Sequence, residues 1–247
     1  MRLLVDLEPM DPSLGLAIEE VLLDVSRRDG CEAIRVWINQ RVVVLGRSQS
    51  SAAEVDEARA QELGIPILRR ISGGGTVYHY PGNLNVSLFL RKRAELSDVS
   101  AVFRFFGAML TEALARLTPK LYHEDNGLYV DGLKVGGAAQ AHRGDAVLYH
   151  TTLLIGPSPI AMETLLLAMR PGYCPEGISS RSRSTTSLSE HLARPIEPRE
   201  VVAPIVDAIA FALSSHPEVG RLTRQEEARA MALGEEKYGG AAWNRKR

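Results

Sequence analysis

The chain has 247 residues, of which 45% are apolar and 24% are charged, and its formal net charge is −1. This composition excludes a disordered or fibrous protein, and the near-neutral charge argues against long-range attraction of nucleic acid or an anionic membrane. The two cysteines, Cys31 and Cys174, lie far apart, which argues against a disulfide scaffold or a structural zinc site. With no run of about 18 apolar residues and no signal-peptide pattern, we expect a cytoplasmic protein with no membrane span and no nucleic-acid partner.

The first third of the chain predicts one long helix followed by short strands. Asp11 and Pro12 form a capped helix start, apolar residues then recur at helical spacing, and Gly30 would end the helix. Residues 34–38 and 42–45 are β-branched runs that predict a hairpin. The elements predicted next are a short helix over 54–63 and strands over 66–70 and 84–90.

The remainder predicts further strands enclosed by helices. Residues 98–117 have one apolar face and predict a helix, and Asp131 and Gly132 favour a tight turn between strands over 128–130 and 133–139. The elements predicted after them are a strand over 146–155, a helical segment over 159–169, and helices over 201–213 and 223–238. The pattern predicts one α/β (α+β) domain over residues 1–247, with a mixed β-sheet flanked by helices and C-terminal helices within 198–240.

Residues 69–79 have the sequence RRISGGGTVYH, in which two arginines precede three glycines. Three glycines allow backbone N–H groups to point toward one anion, and Arg70 has the planar geometry to pair with a carboxylate or phosphate. On these residues alone, an ordinary glycine-rich turn with solvated arginines is an equally good interpretation. Asn83 follows closely and would either contact a ligand or stabilise a turn.

Lys134 begins a predicted strand directly after the Asp131-Gly132 turn, and small residues follow it at 136–138. A lone lysine on a strand is usually solvated, but small neighbours leave room for a ligand beside it. His150 lies in the next predicted strand and by itself is more typical of a hydrogen-bonded core residue than of a base. The hydroxyl-rich run over 179–186 would either cover a nucleotide or remain an exposed loop.

Together these segments resemble the lipoate–protein ligase family, also described as the biotin/lipoate ligase catalytic domain. The shared pattern is Arg-Arg-x-Ser-Gly-Gly-Gly-x-Val-Tyr/Phe-His, then Gly-Asn, then Asp/Asn-Gly-x-Lys-x-x-Gly-x-Ala, in this order and spacing. Residues 44–49 and the tail over 236–244 also look like that family. The resemblance implies a fold shared with biotin ligases and related to the catalytic domains of class II aminoacyl-tRNA synthetases.

The resemblance implies two half-reactions, in which ATP and lipoate form lipoyl-adenylate and a carrier lysine then takes the lipoyl group. Lys134 would be the catalytic cation between the carboxylate and the α-phosphate, and magnesium would accompany ATP. The implied partner is a lipoyl carrier domain, such as a 2-oxoacid dehydrogenase acyltransferase subunit or the glycine-cleavage H protein. The residues implied to bind substrate or acyl-adenylate are Trp37, Arg47, Arg70, Ser72, Gly73, Gly74, Gly75, Val77, Tyr78, His79, Asn83, Asn126, Gly136, Ala138, His150, Arg181, Arg183 and Thr186.

Some positions depart from the family pattern. Asn126 is followed by glycine where relatives often have aspartate, so Asp125 is the nearest carboxylate for a metal. His150 is followed by Thr151, whereas relatives commonly have glycine there. The spacing from Arg181 and Arg183 to the downstream Thr-x-Leu differs by one residue from that of the family's adenylate loop. The chain also stops where many relatives add a small C-terminal domain, so we expect no accessory domain and a separate small partner protein for adenylation.

Three alternatives stay open at this point. A cofactor-free octanoyl or lipoyl transferase of the same fold would use a cysteine thiolate, yet neither Cys31 nor Cys174 lies near Lys134 or His150 in the sequence. The chain would otherwise be the lipoate-binding half of a split ligase. Biotin is a third possibility, since the preference among lipoate, octanoate and biotin depends on pocket shape.

Overall fold

The computed structural model describes residues 1–96, 98–175 and 177–245. Eleven strands lie in this described part of the chain: β1 (Arg2–Met10), β2 (Ala33–Asn39), β3 (Val42–Leu45), β4 (Ile67–Arg69), β5 (Val77–His79), β6 (Asn83–Arg91), β7 (Leu121–Glu124), β8 (Gly127–Val130), β9 (Leu133–Arg143), β10 (Ala146–Leu154) and β11 (Glu218–Val219). The α-helices are α1 (Pro12–Asp29), α2 (Ser51–Glu54), α3 (Glu57–Glu62), α4 (Val99–Ala113), α5 (Leu188–His191), α6 (Pro198–Ala212), α7 (Arg224–Leu233) and α8 (Ala241–Asn244). Short 3₁₀ helices cover Ala94–Leu96, Met162–Thr164 and Leu167–Met169, and a π-helical turn covers Gly234–Tyr238.

The strands form two sheets. The larger sheet has eight strands in the order β11-β1-β2-β6-β10-β9-β8-β7, and the smaller sheet has the order β4-β3-β5. β1 is parallel to β2 and β11, whereas the remaining pairs of the large sheet are antiparallel. The prediction of a mixed sheet flanked by helices is therefore confirmed.

Side chains of the central strands alternate between two core faces, and the site lies on one of them. On β6, Leu84, Val86 and Leu88 enter the core under α4 and α6, whereas Phe89 enters the core under α1 and α7. Because side chains alternate between the faces of a strand, Asn85 shares the α1 side with Phe89. Polar side chains on that face are consequently available to a ligand between the sheet and α1.

Helix α1 follows the predicted capping pattern. The Asp11 side chain accepts a hydrogen bond from the Leu14 amide at 2.9 Å, Pro12 occupies the first turn, and Gly30 ends the helix with φ of 71°. Such a carboxylate cap contributes about 1 kcal/mol to helix stability. Asp131 and Gly132 have φ of 47° and 81°, as the predicted two-residue turn between β8 and β9 requires.

Three local predictions were wrong. β2 and β3 do not form a hairpin, because β2 pairs with β1 and β6 while β3 pairs with β4 and β5 in the other sheet. The helix predicted over 54–63 is interrupted at Val55, which is extended and bridges Leu166. The segment 159–169 forms two short 3₁₀ turns instead of one helix, since it packs around that bridge. Within the described residues, no helix is long and apolar enough to cross a membrane.

Candidate functional site

A cavity of about 670 Å³ lies where α1, the large sheet and the small sheet meet. Glu19 comes from α1, Trp37 from β2, and His150 from β10. The opposite wall is the glycine loop, which we define as residues 72–76 between β4 and β5. The expected site residues that line this cavity are Trp37, Arg70, Gly74, Gly75, Val77, His79, Asp125, Asn126, Lys134, Ala138, His150 and Arg181.

The three glycine amides of the glycine loop have no hydrogen-bond acceptor among the described residues. Gly74 has φ of 84°. A side chain at Gly46 would lie 2.0 Å from the Gly74 carbonyl oxygen, so the segment over 46–49 presses directly against the loop. The arrangement is that of a backbone anion site.

Arg70 shapes this loop from within. Its Nε donates to Ser72 Oγ at 2.9 Å, one terminal nitrogen donates to the carbonyls of Gly73 and Gly75 at 2.5 and 2.8 Å, and the other to Val44 at 3.1 Å. Burial lowers the pKa of Arg70 to about 10. Because this value is still well above 7, the guanidinium is charged at neutral pH. The cation therefore holds the loop, and most of its N–H groups are already used.

The Lys134 side chain lines the same cavity as the glycine loop. A side chain at Gly137 would come within 3.1 Å of Lys134 Nζ, so the amine lies flat over that glycine. Among the described residues, none forms a hydrogen bond or ion pair with Nζ. Burial, and then the charge of Arg183, lower the pKa of the Lys134 ammonium. A half-buried ammonium without a counterion is suited to receive an anion.

A buried hydrogen-bond network forms the floor of the cavity. His150 Nδ1 lies 2.9 Å from a Glu19 carboxylate oxygen, and His150 Nε2 lies 2.7 Å from Ser72 Oγ. Since the carboxylate only accepts, Nδ1 carries the proton and Nε2 accepts from the Ser72 hydroxyl in the neutral ring. Ser87 donates to Glu19 at 2.6 Å and accepts from Trp37 Nε1 at 3.0 Å.

Sequence reasoning missed Glu19. Burial opposes ionisation of this carboxyl, but the contacts with His150, Ser87 and Arg35 outweigh burial and lower the pKa of Glu19. The available signal was an acidic residue between Ile18 and Val21, within the apolar stripe of the predicted helix. A carboxylate at a core-facing position indicates a buried partner.

His79 supplies an unsatisfied donor to the same cavity. Burial, and then the charge of Arg70, lower the pKa of His79 to about 3, so the ring is neutral. Asn39 Nδ2 donates to His79 Nδ1 at 2.9 Å, which places the ring proton on Nε2. Nε2 is buried and has no partner among the described residues.

A second, narrower cavity of about 100 Å³ adjoins the first. Lys134, Val77 and Thr152 line both. Apolar and polar side chains both line the second cavity, Glu54 among them, and the buried Oδ1 atom of Asn83 has no partner in the described structure. The expected site residues that reach this cavity are Val77, Tyr78, Asn83, Lys134, Gly136, Arg181 and Arg183.

Four expected site residues line neither cavity: Arg47, Ser72, Gly73 and Thr186. Ser72 and Gly73 act within the glycine loop, as described above. Arg47 is exposed, and its amide donates to the Ser72 carbonyl at 2.8 Å. The Thr186 amide donates to the Lys134 carbonyl at 3.0 Å and so joins the loop over 179–186 to the start of β9.

The carboxylate oxygens at the cavity rim would bind magnesium only together with phosphate oxygens. No cluster of three or more histidine, cysteine, aspartate or glutamate side chains occurs in the described parts of the chain. Asp125 is exposed at the rim, and its carboxylate lies 3.4 Å from the Arg181 guanidinium. The side-chain Nδ2 of Asn126 donates to the Ala138 carbonyl at 2.8 Å. One carboxylate plus phosphate oxygens is a donor set that Mg²⁺ accepts.

Comparison with known proteins identifies the family of this chain. The lipoyl protein ligase A/B catalytic domain matches residues 11–210. A protein of Aeropyrum pernix assigned as a lipoate-protein ligase A is 30% identical over 229 residues, which cover 92% of this chain and 86% of that protein. The lipoate-protein ligase LplJ of Bacillus subtilis is 31% identical over 186 residues, 74% of this chain but only 54% of its own length.

Two solved structures have the same fold over the whole chain. A Thermoplasma acidophilum protein, assigned as a lipoate protein ligase and containing bound lipoic acid, superimposes with a TM-score of 0.83 at 24% identity, covering 99% of both chains. A lipoate-protein ligase A bound with ATP superimposes with the same TM-score of 0.83 at 24% identity, covering 99% of this chain and 98% of the other. The chain spans about half the length of the Bacillus relative and 36% of a yeast relative.

Proposed function

Because this chain belongs to the lipoyl protein ligase A/B catalytic domain family, we propose that it is an ATP-dependent lipoate–protein ligase. It would activate lipoate as lipoyl-adenylate and transfer the lipoyl group to a lysine of a carrier domain. The observation that carries this proposal is the unpaired Lys134 amine, which lines the same cavity as the free amides of the glycine loop. A carboxylate and an α-phosphate are two anions that such a site would bring together.

In the first half-reaction, a lipoate carboxylate oxygen attacks the α-phosphorus of ATP. The new P–O bond forms as the bond to the pyrophosphate oxygen breaks, and pyrophosphate leaves with the electron pair. Lys134 neutralises charge on the oxygens that meet at the reacting phosphorus, and the amides of the glycine loop donate to the same oxygens. One such preorganised donor lowers the barrier by roughly 3 kcal/mol. Magnesium, when bound, would neutralise the leaving phosphates, and Glu124 and Asp125 are exposed carboxylates at the rim.

The narrow cavity next to Lys134 fits the adenine base. It is lined by Met162, Leu166 and Met169, which suit the faces of an aromatic ring. Asn83 Oδ1 is a buried acceptor without a described partner, and the adenine amino group is a donor. We therefore assign Asn83 and Tyr78 to the base, and Arg181 and Arg183 to the phosphates that leave from the neighbouring cavity.

The acyl chain would occupy the deep part of the larger cavity. Leu16, Trp37 and Val44 provide apolar surface there, and His79 Nε2 provides one unpaired donor. In the second half-reaction, a carrier lysine amine attacks the acyl carbonyl carbon, the C–O bond to AMP breaks, and the amine proton is lost. Lys134 would then stabilise the departing phosphate of AMP.

We propose a lipoyl carrier domain as the protein partner. The archaeal lipoylation system of Thermoplasma acidophilum, whose ligase has a TM-score of 0.84 with this chain, comprises a bi-partite ligase and its E2 lipoyl domain. By analogy, we propose that this chain acts as one catalytic domain, is assisted by a separate small protein, and works in the cytoplasm. The carrier would be a 2-oxoacid dehydrogenase subunit or the glycine-cleavage H protein.

The test is incubation of the protein with ATP, magnesium, lipoate and a purified lipoyl domain. We expect lipoate-dependent pyrophosphate release and a mass increase of the carrier by one lipoyl group, and both should be faster when the separate small protein is present. Octanoate and biotin replace lipoate in parallel reactions. Pyrophosphate release that is independent of every acid would contradict the proposal.

The competing cysteine-dependent transferase has less support. Cys31 and Cys174 are exposed, and neither lines either of the two cavities. A thiolate nucleophile must reach the acyl carbon. Transfer from an acyl carrier protein without ATP, abolished in a Cys174→Ser variant, would favour that alternative.

A further inference from the structure

Glu54, the last residue of α2, is a buried carboxylate to which the reaction above gives no role. It is 1% exposed and forms no ion pair with a described residue. It accepts hydrogen bonds from Tyr173 Oη at 2.5 Å, from the Ser180 amide at 3.0 Å and from Ser180 Oγ at 2.5 Å. Since a buried carboxylate is costly without partners, these contacts must remain in place.

The Ser180 hydroxyl joins two loops. Because it donates to Glu54, both of its lone pairs are available, and they accept from the Thr76 amide at 2.8 Å and from Gln49 Nε2 at 3.1 Å. Gln49 Oε1 in turn accepts from the Gly46 amide at 3.0 Å and from Thr76 Oγ1 at 2.9 Å. We call this set of Glu54, Ser180, Gln49 and Thr76 the loop junction.

The loop junction lies at the boundary between the two cavities. Ser180 and Thr76 line both of them. Ser180 also packs on Gly75, where an added side chain would come within 2.9 Å of Oγ. The glycine loop and the loop over 179–186 therefore form a continuous wall beside Lys134.

Backbone contacts of the next two residues fix the position of Glu54. The adjacent Val55 bridges Leu166, and the Asp56 amide donates to the Leu165 carbonyl at 2.9 Å. Arg170 donates to the Asp56 carboxylate at 2.9 Å, which anchors the chain before the loop begins. The carboxylate position is thus set by the fold and not by the loop that it holds.

We propose that Glu54 is a positioning residue for adenylate formation, which acts through Ser180 to hold the glycine loop and the 179–186 loop together before ATP binds. The proposal rests on the ligase function proposed above. Without this contact, part of the binding energy of ATP must order the loops, so the apparent affinity for ATP falls.

Glu54→Gln tests the direction of the hydrogen bonds. In one orientation the new amide nitrogen faces Ser180 Oγ, whose lone pairs are already used by Thr76 and Gln49, and in the other it faces the Ser180 N–H, so at least one hydrogen bond to Ser180 is lost. We expect the KM for ATP to rise about 10-fold or more, with kcat changed by less than about 3-fold. Ser180→Ala should have a similar effect, and the two changes together should not add.

Matched variants separate this role from general stability. Glu57→Gln changes a nearby exposed glutamate that also accepts from a serine hydroxyl, Ser51 Oγ, at 2.5 Å, and it should leave the KM for ATP unchanged. Tyr173→Phe removes one bond to Glu54 but leaves Ser180 in place, so its effect should be smaller than that of Glu54→Gln.

A measurement without substrates keeps this proposal separate from the ligase function. In the ligand-free protein, trypsin should cleave after Arg181 and Arg183 faster in Glu54→Gln and Ser180→Ala than in the wild type or Glu57→Gln. Equal cleavage rates, or faster cleavage with an unchanged KM for ATP, would overturn the role of Glu54. Absence of lipoate-dependent pyrophosphate release from the wild type would instead refute the ligase, whatever the cleavage rates.

Discussion

At the scale of single residues, the site depends on how each charge is compensated. Glu19, Glu54 and Arg70 are buried with their hydrogen bonds satisfied, whereas Lys134 has no described counterion. Unpaired polar groups are rare in folded proteins and lower stability, so those retained near a cavity indicate ligand contacts. Lys134 Nζ, His79 Nε2 and Asn83 Oδ1 are such groups.

Replacement of Lys134 by alanine tests the central cation. We expect kcat/KM for lipoate-dependent pyrophosphate release to fall by at least about 100-fold, because the charge on the reacting oxygens loses its fixed counterion. The melting temperature should not fall, since the variant removes a half-buried, unpaired ammonium. Lys120→Ala, at an exposed lysine paired with Asp131, is the matched control. Near-normal turnover of Lys134→Ala would remove this residue from the mechanism.

His79 gives the protein a specific sensitivity to acid. Its folded pKa of about 3 lies below the ordinary value of 6.5, so between these pH values the unfolded chain binds a proton that the folded protein does not. Stability should therefore decrease as pH falls below 6.5, by up to about 1.4 kcal/mol per pH unit from this group alone. Urea unfolding at pH 7 and pH 5 should show a smaller pH difference for His79→Gln than for the wild type. An unchanged difference would contradict the assignment.

At the scale of elements, buried charges join α1 to the C-terminal segment. The Glu20 carboxylate accepts from Lys237 Nζ at 2.7 Å, from Tyr238 Oη at 2.7 Å and from Arg143 at 2.5 Å. Burial opposes ionisation, but these hydrogen bonds outweigh it and lower the pKa of Glu20. The tail motif singled out in the sequence therefore packs against the first helix, which lines the cavity through Leu16 and Glu19.

Glu20→Gln should destabilise the protein by about 2 kcal/mol at neutral pH, because charged hydrogen bonds are lost and Lys237 stays half-buried. The contribution of Glu20 is complete above its unfolded pKa of 4.5 and is lost as pH falls through the lower folded value. The unfolding free energies of both proteins in urea should thus converge at pH values below the lowered folded pKa of Glu20. Asp24→Asn, on the same helix but 43% exposed, should cost less than about 1 kcal/mol.

Local signals predicted individual elements better than their pairing. The Asp11 cap, Gly30 and the Asp131-Gly132 turn act through residues close in sequence, and all three were predicted correctly. The partners of β2 and β3 depend on strands far away in the chain, and the β-branched runs contain no information about them.

At the scale of the whole molecule, both cavities lie between the two sheets and α1 lines the larger one, so ligand binding should stabilise the entire fold. We expect lipoate and ATP together, near 100 times their dissociation constants, to raise the melting temperature by about 5 °C or more. Biotin in place of lipoate should give a smaller shift. Equal shifts for biotin and lipoate would contradict the proposed acid specificity.

Motifs in the sequence predicted site residues, several of which line a cavity, but gave no sign of contacts between distant elements. Lys134, Gly74 and Asn83 were predicted because their neighbours in sequence are informative, and all three line a cavity. Glu54, Gln49 and the Glu19 pair with His150 became visible only in three dimensions, since their partners lie in separate elements. Their residue types are ordinary for a helix or a loop, and burial alone makes them informative.

The contact between Gly46 and the Gly74 carbonyl has a consequence for protein engineering. Because the two backbones leave no room for a side chain, a chimera that receives its triple-glycine segment from another enzyme would also need the matching piece around Gly46. If only one of the two segments were transplanted, the backbone near Gly46 and the Gly74 carbonyl would clash in the recipient protein. Grafting should therefore change substrate preference only when the segment over 46–49 and the glycine loop are transferred together.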